Sequence, residues 1–185
     1  MQWEVSMKYA IVALLFLVGC NFEPEEPRKP TKQEAATAVR NRTAYKLKVE
    51  NDLIPCGTGS QMMGQIEMLA LAFDYFQPLD IETARPLLIN SVNTFLKEIN
   101  NDESIKPYLL HYPFDPKNTE IAIYFYTSNY KEVPNGDLCI AAFRQGKCIY
   151  KIHNSDDRLQ TILEETYDDA VTKLNNKSLQ KNESH

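Results

Sequence analysis

Apolar positions along this chain switch between a helical and a strand-like spacing several times, and the switches mark out the elements. Thr31-Lys32-Gln33-Glu34 sets threonine at an N-cap and glutamate at N3, a capping box, so a helix is expected from Lys32 to at least Arg42. Tyr45–Glu50 alternates with period two and would fit a strand as well; we read it as the helix continuing. Pro55-Cys56-Gly57-Thr58-Gly59-Ser60 breaks the pattern and reads as a loop between helix and strand. Gln65–Phe76 is apolar on both faces, as in a buried strand, with a Met-rich helix as the alternative. Ala84, Leu87, Leu88, Val92, Phe95, Leu96 and Ile99 then follow the helical period and form one wide stripe. That helix runs to Asn100 and is capped by Asp80 or Thr83; Thr83 is favoured because it leaves Pro86 in the first turn.

Downstream, a long connection carries the aromatic run Tyr108–Phe114. Glu120–Thr127 is a strand with Ile121, Ile123 and Phe125 on one face and Ala122, Tyr124 and Tyr126 on the other. Leu138–Arg144 and Lys147–His153 form a hairpin through Gln145-Gly146. Asn154-Ser155 is read as the cap of a last helix, with Asp156 and Asp157 in its first turn. Its buried stripe would be Leu159, Ile162, Leu163, Thr166, Ala170, Val171 and Leu174, followed by a polar tail. The expected fold is α+β: an antiparallel or mixed sheet of about four strands, ending in a three-strand meander and covered by helices.

The most specific signal lies ahead of this domain. Tyr9–Val18 is a run of ten apolar residues, too short for a membrane-spanning helix, which needs about 20, and of the length of a signal-peptide core. It closes on Leu17-Val18-Gly19-Cys20, which resembles the lipobox of bacterial lipoproteins. The resemblance covers residues 7–20 only. It implies that Cys20 is lipidated on sulfur, becomes the first residue of the mature protein after cleavage, and is acylated on its new amino terminus. Asn21 rather than aspartate follows the cysteine; by resemblance to lipoproteins of enteric bacteria this implies sorting to the outer membrane. Met7 opens a better leader than Met1, since Met1–Ser6 carries Glu4 and no base, while Lys8 follows Met7.

The resulting organisation is a signal helix over 1–19, a Pro-rich tether over 20–30, one α+β domain over 31–176 and a polar tail over 177–185. In the tether Pro24, Pro27 and Pro30 recur at the period of polyproline II. A stiff spacer is the simpler reading, and a P-x-x-P ligand the alternative.

Charge narrows the partners. The formal net charge is −5, and it is unchanged without the leader because Lys8 and Glu4 cancel. An acidic chain argues against nucleic acid and against electrostatic attraction to anionic lipid, so membrane attachment falls to the acyl chains at Cys20.

Candidate chemistry is sparse. Cys56 in a Gly-rich turn, with His111 or His153, is the raw material of a thiol nucleophile, although no known motif surrounds it. The histidines have no zinc-like spacing, so no metal is expected, and no cofactor motif is present. Cys139 and Cys148 share a face of the hairpin but lie too far apart along it to bond, which leaves only a bridge from Cys56 to one of them. Within the aromatic run, Tyr108, His111, Tyr112 and Phe114 are the first candidates to grip a ligand, if they are not packed over a core edge. The leading reading is a non-enzymatic lipoprotein of the cell envelope that binds a protein or polymer partner. A membrane-tethered thiol hydrolase and an envelope chaperone or assembly factor are the alternatives.

Overall fold

The structure, a computed structural model, describes residues 28–183, and side chains as far as Lys177. The expected signal sequence, Cys20 and most of the expected tether lie outside the described residues. Among the described residues three α-helices, α1 (Lys32–Asn51), α2 (Ile81–Asn100) and α3 (Tyr167–Glu183), accompany six strands. The strands are β1 (Ile54–Gln61), β2 (Met68–Tyr75), β3 (Thr119–Phe125), β4 (Leu138–Arg144), β5 (Lys147–His153) and β6 (Leu159–Thr166). They form one sheet in chain order, antiparallel throughout except for the parallel pair β2/β3, between which the chain returns through α2. The fold is α+β with a mixed sheet and a C-terminal meander, as expected, and six strands wide.

Register explains the layers. Leu71, Ile121, Phe143, Cys148 and Glu165 stand opposite one another across five strands, and all are buried. Phe73, Ile123, Ala141 and Tyr150 form a second such row. The helices close on this face: Ala36, Val39 and Leu47 from α1 and Leu88, Val92, Phe95 and Ile99 from α2 join the same core. The alternate positions point the other way, where no helix packs among the described residues.

Several local expectations hold. The capping box is formed, with Glu34 Oε2 accepting from the Thr31 N–H at 2.8 Å, and α1 continues through Tyr45–Glu50. The Gln145-Gly146 turn has both residues at positive φ (51° and 78°), the type I′ geometry that fits a two-residue hairpin, and it sets Phe143 opposite Cys148.

Other expectations are corrected. Residues 55–60 are not a loop: they belong to β1, an edge strand, where Pro55 is tolerated and a bulge at Cys56 absorbs the irregularity. The cap of α2 is Asp80, which accepts from Thr83 N at 2.8 Å, so Pro86 lies in the second turn. There the missing N–H deprives the Glu82 carbonyl of its helical partner; both residues are exposed and water can serve it. Asn154-Ser155 caps no helix. Asn154 Oδ1 accepts from Asp156 N and Arg158 N, both at 3.0 Å, and Asp157 takes φ 60°, so this segment is a turn and Leu159–Thr166 returns as β6. The last helix starts only at Tyr167, where Thr166 Oγ1 accepts from Asp169 N, and it extends to Glu183 through the segment read as a tail. A regular hairpin through Gln145-Gly146 would set Cys139 opposite Ile152; Cys139 falls in a bulge, and Ile152 faces Leu138.

Candidate functional site

Cys56, His111 and His153 are not brought together. Cys56 lies on edge strand β1 and His153 on β5, four strand spacings away, roughly 19 Å. His111 is exposed, in the loop whose Leu109 pairs with Ile66, near the end of β2 away from Cys56. The thiol itself is the reverse of activated: partial burial, then the neighbouring Asp74 carboxylate, push Cys56 up to about 11. Cys56, Cys139 and Cys148 are all free thiols. Burial likewise pushes the Cys148 thiol up to about 12. Among the described residues no group of His, Cys, Asp and Glu could hold a metal ion.

A thiol with that environment has a distinctive reactivity. At pH 8 Cys56 is expected to alkylate roughly a hundredfold more slowly than an ordinary exposed cysteine, whose pKa is about 8.5. The iodoacetamide rate should keep rising to about pH 11, and Asp74→Asn should move the profile to lower pH. A plateau at or below pH 9 in the unaltered protein would instead mark an activated nucleophile.

The aromatic loop is split between two roles. Leu109 and Phe114 are buried in the core, and Asn100 pins Phe114 by accepting from its N–H at 2.6 Å and donating to its carbonyl at 3.1 Å. Tyr108 is half-buried and donates its hydroxyl to the Pro30 carbonyl at 2.6 Å. Leu110, His111 and Tyr112 are exposed, with the Lys106 ammonium 4.8 Å from the Tyr112 ring centroid. The loop therefore covers a core edge through two of its large side chains and presents two others to solvent.

The most distinctive surface is one that sequence reading did not single out: the face of the sheet without helices. Gly57, Ala72, Ala122 and Ala142 stand in one row across β1–β4, and Gly59 and Ala70 lie beside them. These small side chains leave a groove of about 380 Å³ across the strands. The two glycines are needed for the close fit: a Cβ at Gly57 would stand 3.3 Å from the Ala72 Cβ, and one at Gly59 3.2 Å from that of Ala70. One wall carries the ion pair of Arg144 Nε with Glu120 Oε1 at 3.0 Å. Beyond the groove, Tyr124 stands opposite Ile140, and past the end of β3 Phe76 packs on Tyr126 and Tyr130 with ring centroids 5.6 and 4.5 Å away. A floor of backbone and methyl groups beside a charged wall favours shape-complementary contact with a partner. The carboxylate on that wall, Glu120, is held by Arg144.

A wider concavity, of about 700 Å³, lies between the start of α2 and the β4 and β6 strands. Its buried charge, Arg85, is already held by Glu165 and Glu82. That pairing is itself a missed feature. Arg85 Nε donates to Glu165 Oε1 at 2.6 Å, with both side chains only 4% exposed, while Tyr150 Oη and Lys173 Nζ also donate to the Glu165 carboxylate. Burial alone would raise the Glu165 carboxyl, but Arg85 and Lys173 outweigh it and hold it below the usual range.

The signals for both features were present. Arg85 falls on the apolar stripe of its helix, one position after Ala84 and three before Leu88, where a charge must find a buried partner. Ala70 and Ala72 in β2 and Ala122 in β3 fall on the strand faces opposite the large apolar side chains Leu69, Leu71, Phe73, Ile121 and Ile123. No protein family, no curated protein and no solved structure matches this chain.

Proposed function

We propose that this chain is a membrane-anchored bacterial lipoprotein whose mature domain is a non-enzymatic binding module of the cell envelope. The Gly/Ala groove on the helix-free face is its partner site. The observation that carries the binding reading is that groove: an open sheet face whose floor is kept small at six positions and flanked by the Arg144–Glu120 ion pair. The anchor rests on the run Leu17-Val18-Gly19-Cys20 behind a ten-residue apolar core. Two or more acyl chains give stable attachment where one gives only marginal binding. Asn21 supports placement in the outer membrane. The thiol-hydrolase reading is less favoured: neither His111 nor His153 lies beside Cys56, and its thiol is pushed up rather than down.

Cys20→Ser tests the anchor. The variant is expected to accumulate as an uncut precursor that takes up no labelled palmitate, while the unaltered protein is labelled and fractionates with outer-membrane markers. Equal palmitate labelling of the variant overturns the lipoprotein reading, and fractionation of the mature protein with inner-membrane markers alone overturns the placement.

A further inference from the structure

The point where the domain meets its tether is fixed, and it has unusual neighbours. Pro30, just before the α1 cap, accepts the Tyr108 hydroxyl at 2.6 Å. Lys32, the first residue of α1, donates its ammonium to the carbonyls of Met62 (2.8 Å) and Gly64 (2.5 Å) at the tip of the β1–β2 hairpin. Met63, between them, is 97% exposed. The same end of the sheet holds the aromatic loop: Ile66 N donates to Tyr108 O and Leu110 N to Ile66 O, which brings Leu110 (42% exposed) and Tyr112 (55% exposed) to this side. Apolar and amphipathic side chains thus surround the exit of the chain.

The distance to the anchor is short. Cys20 and Arg28 are eight positions apart, and a chain of that length reaches at most about 29 Å in any conformation. The end of the domain that carries Met63, Leu110 and Tyr112 is therefore held near the bilayer that takes up the acyl chains. Its cations do not form a strong electrostatic patch, since Arg28 pairs with Glu34 and Lys106 with Glu103. An exposed methionine and leucine beside an interfacial tyrosine suit the boundary between headgroups and acyl chains.

We propose that this end of the domain docks on the lipid surface, with Met63 and Leu110 inserted at the headgroup–acyl boundary. The inference rests on the lipoprotein reading above. It orients the domain: β2 and β3 run away from the membrane, so Phe76 and Tyr130, which follow their far ends, stand farthest from it.

The chain's single tryptophan, Trp3, lies in the leader and is expected to leave with it, so a tryptophan introduced in the domain reports alone. The experiment uses the full-length chain purified from envelopes as Met63→Trp, Leu110→Trp or Tyr130→Trp. Each is reconstituted in neutral vesicles of phosphatidylethanolamine and dibrominated phosphatidylcholine, with the mass of Cys20 recorded in parallel. The bromines should reduce emission about twofold for Met63→Trp and Leu110→Trp, and leave Tyr130→Trp unchanged. If Cys20 carries its lipid and the protein floats with the vesicles, yet neither Met63→Trp nor Leu110→Trp is quenched, the docking inference is overturned and the anchor stands. Equal quenching of all three sites overturns the orientation. A Cys20 without diacylglyceryl mass overturns the anchor, and this inference with it.

Discussion

Glu165→Ala is expected to destabilise the domain by about 3 kcal/mol, or roughly 6–12 °C in Tm for a domain of this size. The substitution leaves the Arg85 guanidinium, which is 4% exposed, with only the largely exposed Glu82 carboxylate as partner, and removes the acceptor of both Tyr150 and Lys173. Removing one partner of a buried pair typically costs about 3–5 kcal/mol. The lower end applies because Lys173 is half exposed and lets water reach the cluster. The double replacement Arg85→Met with Glu165→Leu should recover part of the loss, since neither buried charge then remains; half-exposed Lys173 and exposed Glu82 can turn to water, while the Tyr150 hydroxyl still lacks its acceptor. Thermal melts of the three proteins decide it: a Glu165→Ala variant within about 0.5 kcal/mol of the unaltered protein, the range of ordinary surface substitutions, would mean that the pair is not closed as described.

The same pair sets a pH dependence. Glu165 is held below its unfolded pKa, so its contribution is complete above about pH 4.3 and is lost as pH falls through the depressed folded value. The double replacement lacks that contribution and should lose less stability between pH 5 and pH 2, on the order of that window, than the unaltered protein does.

The second large effect is on binding. A photo-reactive phenylalanine analogue in place of Ala142, on the floor of the groove, is expected to form one dominant adduct in intact cells, and the same analogue at exposed Tyr45 on α1 is not. Purified with that partner, Ala122→Arg should weaken capture roughly thirtyfold, equivalent to about 2 kcal/mol, the loss seen when the centre of an interface is disrupted. Ala122 is only partly buried and faces away from the core, so the melting temperature should change little. Unchanged capture by Ala122→Arg would remove the groove from the account.

Sequence pattern located the elements whose signals are local. The Thr31/Glu34 capping box, the period-two run of β3 and the Gln145-Gly146 turn each depend on residues within a few positions of one another. The errors arose where a distant partner decides. Leu159, Ile162, Leu163, Thr166 and Ala170 satisfy helical spacing, yet Thr161-Ile162-Leu163 can equally extend, and pairing with β5 settles the matter. Gly57 and Gly59 are turn residues by propensity; in β1 they serve close approach to Ala72 and Ala70 instead. Likewise the groove exists only because small residues from four strands fall in one row, and Glu165 is buried only because α2 brings Arg85 to it. Neither juxtaposition can be read from one segment.

The central claim is that a lipid at Cys20 holds this domain on a membrane. Intact-mass and fragment analysis of the protein extracted from envelopes tests it most directly. The account predicts a mature chain that begins at Cys20 and carries a thioether-linked diacylglyceryl group, with a further acyl chain on its amino terminus. A chain that retains residues before Cys20, or that begins at Cys20 with an unmodified thiol, would contradict it.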